Sequence, residues 1–329
     1  MTAPPPPSDG QPAAYSLPRL PRRAAAAHKG TSGTVAVVGG TCAGGVRMVG
    51  APALSSLAAL RAGAGLVRLV MPRPILTAGL VQCPGATGIE LPCGDDGLIA
   101  PHDAAEVLDS VIDACTCVAI GPGLGTTPGA SAAVLRVIQQ DRKPIVVDAD
   151  AINLLAMTPS FAKDFHAAAV LTPHPGEFKR LVASMGMQGD LGLAASRERA
   201  CEQLAQRLGR VVVLKGAGTV VSDGLRTWTC SAGHPCLATA GTGDVLTGVI
   251  AAVIAQYMMQ TDQQMLRARF PQLPPDASHP LDLFDAARIG VQAHARAGEL
   301  WAARSGAESG LLATELADLV PMALEEMRE

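Results

Sequence analysis

Aromatic residues are scarce: five Phe, two Trp and two Tyr make up 3% of the 329 residues. Stacking platforms for single-stranded nucleic acid and aromatic cages for cations need more than that. An excess of positive charge is also missing. With Lys+Arg 26 against Asp+Glu 29, the net charge of −3 leaves no electrostatic ground for binding nucleic acid or an anionic membrane. The opening MTAPPPPSDG has no basic segment followed by an apolar one. Gly121, Pro122, Gly123, Gly125, Pro128 and Gly129 break the longest uncharged stretch, Ala114 to Leu135, so no spanning helix is expected. A cytoplasmic protein is the resulting expectation. The eight cysteines, at 42, 83, 93, 115, 117, 201, 230 and 236, contain no CxxC pair and read as free thiols. In an apolar strand, Cys115 and Cys117 would share one face. GxSxG, HExxH, paired zinc spacings and GxxxxGK[ST] are absent, which disfavours serine hydrolases, zinc enzymes and a Walker-type phosphate site.

What is abundant is small and aliphatic. Hydrophobic residues make 48% and charged residues 17%, a composition that buries a large core, and Gly 35 supplies turns. Residues 1–27, with Pro4 to Pro7 in a row, predict a flexible tail, and folding is expected to begin near His28. From there, β-branched runs at 34–40, 66–71, 117–121, 144–150, 169–173 and 211–216 alternate with helix-like runs. The helical runs are 51–62, 130–140, 197–208, 245–259 and 283–302. Continuous apolar strands between helices predict a mostly parallel sheet covered on both faces, hence one three-layer α/β/α domain over 28–329. The polar, Pro-rich stretch 260–282 reads as a surface insertion.

In such a sheet, ligands bind beyond the carboxyl ends of the strands. The strongest motif is Ala240-Gly241-Thr242-Gly243-Asp244, directly followed by the apolar helix VLTGVIAAVIAQ. Gly241, Thr242 and Gly243 would form an anion hole, because unpaired N–H groups at a helix start favour phosphate. The plainer alternative is a helix start with Asp244 complementing the dipole. At a helix N-terminus Asp244 should stay ionised, a poor stand-alone base from an ordinary value of about 3.9. It could still accept a hydroxyl proton as phosphoryl transfer proceeds. Lys215-Gly216-Ala217-Gly218-Thr219 reads as a turn between two strands, either a simple hairpin or a backbone edge along which a nucleotide lies. In TPHPGE, two prolines stiffen the presentation of His174 and Glu177. His174 is a candidate for a substrate contact. Glu177 is a candidate to orient a magnesium-bound water, or else a plain first-turn acid. Asp148 and Asp150 end a strand, with Asp150 the candidate helix cap and Asp148 the second-tier site residue. A Rossmann dehydrogenase is disfavoured because GGTCAGG at 39–45 is not GxGxxG.

Seven ordered motifs, HKGTSGTVAVVGG, GAPALSSLAALRAGAGLVRL, AIGPGLG, VVDADAINLLA, LTPHPGEFKRL, VVVLKGAGTVVSDG and ATAGTGDVLTGVIAAVIA, together resemble the ADP- or ATP-dependent NAD(P)H-hydrate dehydratases. The resemblance covers residues 28 to about 258 and resumes at Asp285 with DAARIGVQAHARAGELWA. It implies a ribokinase-like fold and a repair reaction that dehydrates the S-hydrate of NADH or NADPH (NADHX, NADPHX) as ADP or ATP is consumed, with Mg²⁺. By resemblance, Ala51, Gly123, His174 and Asp244 would contact the hydrate, while Lys215 to Thr219 and Gly243 would hold the AMP portion. Relatives commonly form tetramers, so a homo-oligomer is implied. Many relatives carry a fused epimerase domain. With only about 27 residues before the match, the epimerase is expected on a separate chain. A bacterial source would imply ADP as the nucleotide. The loop between Gly40 and Gly50 looks a few residues longer than usual, Ala240 stands where glycine is common, and His234-Pro235 replaces a more usual Asn-Pro. A ribokinase-like kinase of a small alcohol, such as a thiazole or pyrimidine vitamin precursor, uses the same GTGD logic. A non-catalytic nucleotide sensor is the reading from a different class.

Overall fold

The computed structural model describes residues 16–187, 194–258 and 281–328. Nine strands form one sheet in the order β3-β2-β1-β4-β5-β6-β7-β8-β9. They are β1 (Thr34–Val38), β2 (Leu66–Pro72), β3 (Thr87–Leu91), β4 (Cys117–Ile120), β5 (Ile145–Val147), β6 (Ala169–Leu171), β7 (Val211–Leu214), β8 (Val220–Ser222) and β9 (Thr227–Thr229). The first seven are parallel, and β8 and β9 add antiparallel hairpin strands at one edge. The order reverses at β1, which pairs with both β2 and β4. A crevice therefore opens beyond the ends of β1 and β4.

The strands are apolar without interruption because both faces are covered. In β1, Val35 and Val37 enter one core cluster while Ala36 and Val38 enter the other. In β7, Val211 and Val213 part from Val212 and Leu214 in the same way. One face is packed by helices α1 (Gly50–Arg61), α8 (Thr242–Tyr257), α9 (Leu283–Ser305) and α10 (Ala313–Glu325). Beside them α2 (Arg73–Gln82) closes a smaller cluster around Leu69 and Met71. The other face is packed by α3 (Pro101–Asp113), α4 (Pro128–Gln139), α5 (Asp150–Met157), α6 (Pro175–Ser184) and α7 (Ala194–Leu208). This is the three-layer α/β/α sandwich expected from the alternating runs.

Two expectations change. Part of the anticipated tail is built into the body: Leu20 is fully buried, its N–H donates to the Met327 carbonyl, and Arg23 reaches Gln256. Leu17 and Leu20, three residues apart, are apolar anchors that the surrounding Pro and Ala composition conceals. Residues 1–15 lie outside the described residues, as does nearly all of the expected insertion at 260–282. Its flanks meet, since the Leu281 N–H donates to the Tyr257 carbonyl (3.1 Å). Cys115 and Cys117 do not share a face. β4 begins only at Cys117, and the two thiols enter opposite core clusters. All eight cysteines are free thiols.

Helix α8 reaches the site because it lies almost against α1. At Gly248 an added Cβ would stand 2.1 Å from the Ser55 carbonyl oxygen, so only glycine permits this approach. Gly248→Ala is expected to destabilise the fold by about 1–3 kcal/mol, because backbone must shift to admit the methyl. A lowered urea midpoint at unchanged slope would show it.

Candidate active site

Every strand from β4 to β7 hands its chain to the site at its carboxyl end. Asp148 follows β5, Thr172 follows β6 and Lys215 follows β7. Asp148 is buried, and each of its oxygens is engaged. Oδ1 accepts from Lys215 Nζ and from Thr172 Oγ1, both at 2.7 Å, and Oδ2 accepts from Thr247 Oγ1 at 2.7 Å. Burial pushes this carboxyl up, but Lys215 and the two hydroxyls outweigh burial and hold it below the usual carboxylate range. Burial also works against the Lys215 charge, and Asp148, Glu177 and Asp244 together keep its ammonium above the ordinary lysine value. Asp148, ranked second from sequence, is thus the electrostatic centre of the cluster. Thr172 and Thr247 were not singled out there. Thr247 was signalled only as a hydroxyl inside an otherwise apolar helical run.

Above the pair lies the start of α8. Gly241 precedes the helix at φ +88°, a left-handed conformation that glycine adopts at little cost. The amides of Gly243 and Asp244 meet no acceptor among the described residues, whereas the Thr242 N–H turns towards the Thr239 carbonyl (3.4 Å). Of the expected Gly241–Gly243 set, the amides of Gly241 and Gly243 are therefore free donors among the described residues, and the amide of Asp244 joins them. A Cβ on Gly243 would stand 3.5 Å from Lys215 Nζ, so the ammonium lies beside these amides. Ser55 Oγ donates to the Asp244 carbonyl (2.8 Å), and the His294 imidazole holds the Thr242 carbonyl (2.8 Å), fixing the turn from α1 and α9.

The side chain of Asp244 departs from the sequence expectation. Burial, reinforced by Asp148, Asp150 and Glu177 and opposed by Lys215, pushes its carboxyl up to about 7. The helix start does not prevail over burial among like charges, and Asp244 becomes a competent base near neutral pH.

His174 and Glu177 form a reciprocal cap on α6. The His174 Nδ1 accepts from the Gly176 N–H (2.9 Å), while the His174 N–H donates to Glu177 Oε2 (2.8 Å). The imidazole is half exposed, and Glu177 is buried beneath it. Burial, aided by Lys215 and Arg180, lowers the His174 value, and burial raises Glu177 to about 7. Asp150 does not cap α5, because Ala149 takes the cap position at φ +51°. Instead Asp150 Oδ2 accepts from the Gly125 N–H (2.8 Å) and ties the GPGLG turn to α5. Gly123 in that turn faces Ala51, where a Cβ on the glycine would lie 3.4 Å from the alanine methyl. Both residues sit at the β1/β4 crevice.

On the far side of Lys215 a cavity of about 470 Å³ opens. The turn Lys215–Thr219 forms one wall, Thr242 and Gly243 form its floor, and His294 with Val291 stands opposite. Thus the residues expected to hold a nucleotide share one cavity, Ala51 and Gly123 lie together beyond β4, and Lys215 joins the cavity wall to Asp148 and the start of α8. His294 was not singled out from sequence, though it is a lone histidine in the apolar stretch of a long helix.

A family model described as NAD(P)H-hydrate dehydratase matches residues 35–322. The chain belongs to this family. Among NAD(P)H-hydrate dehydratase relatives, the bifunctional NAD(P)H-hydrate repair enzyme of Coxiella burnetii is 38% identical over 91% of this chain and 52% of its own length. The corresponding enzyme of Escherichia coli is 37% identical over 90% and 48%. The chain therefore spans about half the length of these curated relatives. The ADP/ATP-dependent NAD(P)H-hydrate dehydratase of Bacillus subtilis, co-crystallised with ATP and Mg²⁺, superposes with a TM-score of 0.69 at 28% identity, covering 95% of this chain and 100% of that one. A ribokinase-like superfamily protein from Enterococcus faecalis gives 0.69 at 22% identity, covering 94% and 93%, which fixes the fold as ribokinase-like. No helix among the described residues is long and apolar enough to cross a membrane.

The raised carboxyls of this site set its response to pH. An acid whose folded value is raised holds its proton more tightly than the unfolded chain does. Its burial therefore costs stability above pH 7, and that cost fades as pH falls from 7 towards 4. Asp244→Asn is expected to exceed the parent in stability at pH 8, on the order of 1–2 kcal/mol after discounting for partial exposure, with the gap narrowing at pH 5. Urea unfolding at the two pH values checks this, and coincident curves at pH 8 would contradict it.

Proposed function

We propose that the chain dehydrates the S-epimer of NADH hydrate or NADPH hydrate, restoring the reduced cofactor while ADP or ATP is cleaved to AMP or ADP and phosphate. The observation that carries the reading is the position of Asp244. A carboxyl with a value of about 7 stands in the first turn of α8, whose leading amides are free, and Lys215 beside those amides also lines a nucleotide-sized cavity. Family membership and the B. subtilis enzyme's co-crystallisation with ATP and Mg²⁺ support a nucleotide co-substrate.

In this reading the AMP portion lies along Lys215, Gly216, Ala217, Gly218 and Thr219 and ends at Gly243, and its terminal phosphate meets the amides of Gly243 and Asp244. Ala51, Gly123 and His174 hold the nicotinamide hydrate. Asp244 takes the proton from the hydrate's hydroxyl as that oxygen bonds to the terminal phosphorus and the AMP or ADP oxygen departs. The phosphorylated oxygen then leaves the ring carbon as phosphate, driven by the ring nitrogen's lone pair, and loss of a proton from the adjacent carbon restores the double bond. Lys215 and the two amides stabilise the charge that gathers on phosphate.

The residues fit a magnesium ion that arrives on phosphate more than one caged by protein. Both oxygens of Asp148 are committed, and no group of three metal-binding side chains occurs among the described residues. When bound, magnesium neutralises phosphate charge, and Glu177 is the candidate to meet it through water. A homotetramer, a cytoplasmic location and a partner epimerase belong to the same reading.

Recovery of reduced-nicotinamide absorbance from the hydrate, with ADP and ATP in parallel, tests the activity. Asp244→Asn is expected to lower kcat by about 10²–10⁴ while nucleotide still binds. The parent's activity should rise with pH through about 7 as Asp244 ionises. Phosphorylation of a vitamin alcohol without any repair would overturn the proposal.

A further inference from the structure

His294 is tied to the described site by only one of its two ring nitrogens. Its Nε2 lies 2.8 Å from the carbonyl oxygen of Thr242. A carbonyl can only accept, so Nε2 carries the hydrogen. Burial pulls the ring down to about 4, so it is neutral at physiological pH and holds no second N–H. Its Nδ1 is therefore a lone-pair acceptor fixed in one tautomer.

That acceptor has no partner among the hydrogen bonds of the described residues, yet it is not sealed away. Among the described residues, the sealed side-chain polar atoms without a partner are Ser56 Oγ and Arg210 Nε. His294 lines the 470 Å³ cavity, so the open space available to Nδ1 is that cavity. Val291 and Ala295 beside it on α9 and Leu246 on α8 line the same cavity with apolar side chains that carry no donor. A ligand that fills this space without presenting an N–H or O–H to Nδ1 leaves a desolvated acceptor unpaired, which lowers affinity.

The chemistry of the site selects the donor. If the cavity takes the nucleotide, as the proposed function holds, its phosphates occupy the free amides of Gly243 and Asp244. Phosphate oxygens are acceptors at neutral pH and cannot satisfy Nδ1. The ring is anchored on Thr242, the residue immediately before those amides, so Nδ1 stands one imidazole beyond the phosphate turn. In a nucleoside diphosphate the group next to the phosphates is the sugar, whose 2′- and 3′-hydroxyls are its hydrogen-bond donors. We infer that His294 is a specificity-determining residue that reads a ribose hydroxyl of the nucleotide through Nδ1 and so selects ribonucleotides over deoxyribonucleotides.

The experiment is equilibrium titration of the whole chain with ADP, 2′-deoxy-ADP and 3′-deoxy-ADP, in parent and His294→Gln. The glutamine amide can still donate to the Thr242 carbonyl, but it places no acceptor where Nδ1 stands. The parent should bind ADP about tenfold more tightly than at least one of the deoxy forms, the worth of one buried neutral hydrogen bond. In His294→Gln that ratio should fall close to one, mainly through weaker ADP binding. Equal affinities of the parent for all three nucleotides would overturn the inference while leaving the nucleotide reading intact, and this comparison needs no variant. A His294→Gln protein that keeps the tenfold preference would overturn it as well. No binding of ADP by the parent at millimolar concentration would overturn the inference together with the reading of the cavity.

Discussion

The ion pair of Asp148 and Lys215 is the interaction around which the rest of the site is arranged. A buried pair of this kind is rarely a net source of stability, because two charges leave water and their attraction only roughly offsets the desolvation. It persists where geometry is complete, and here three donors from three elements converge on one carboxylate: Lys215 after β7, Thr172 after β6 and Thr247 from α8. Its consequence is positional. The ammonium is held beside the amides that open α8, and a negative centre is held close enough to raise the proton affinity of Asp244. The balance is fine, since Lys215 pulls Asp244 down while Asp148, Asp150 and Glu177 push it up. Losing the lysine would leave Asp244 with three neighbouring acids and no compensating cation from Lys215.

That arrangement constrains packing far from the polar atoms. Thr247 can meet Asp148 only if α8 passes close over the end of the sheet. The close passage requires a surface with almost no side chain at Gly248, where the Ser55 carbonyl lies within bonding distance of a would-be methyl. One turn earlier, the neighbouring hydroxyl of Ser55 holds the Asp244 carbonyl. The same serine neighbourhood thus sets how deep α8 sits and where its first turn points. A helix start without a side-chain cap leaves amides unpaired, which is a cost to the isolated helix and the feature an anionic ligand can use.

Much of this was legible in the sequence, and the failures have physical causes. The six apolar runs become β1, β2, β4, β5, β6 and β7, because a strand buried on both faces must be apolar throughout. β3, at the sheet edge, was unread because TGIEL is partly exposed and carries little apolar signal. α10 contains Pro321, a residue that argues against a helix. The glycine-rich turns and Lys215 declared themselves through composition. The partners of Asp148 did not, since Thr247 is 99 residues away in sequence and nothing local marks it as its hydrogen-bond donor. The value of Asp244 was misjudged for a related reason. The helix dipole can be read from neighbours in sequence, whereas burial among Asp148, Asp150 and Glu177 exists only after folding.

The poverty in aromatics and the lack of excess positive charge also shape the style of recognition open to this pocket. A nucleotide here would meet backbone amides, one buried ammonium and the fixed tautomer of His294, with no Phe, Trp or Tyr side chain and no arginine among the described residues lining the cavity. Fixed donors and acceptors of this kind lose little conformational freedom on binding. They also discriminate by polarity, since a lone-pair acceptor such as Nδ1 of His294 tolerates a hydroxyl and resists a phosphate oxygen. The floor of the cavity follows the opposite rule, where amides and ammonium admit phosphate oxygens and offer nothing to a hydroxyl hydrogen. Two complementary rules on one short surface orient a ligand that has an acceptor end and a donor end. Orientation is what the proposed in-line transfer to a substrate hydroxyl beside Asp244 would demand.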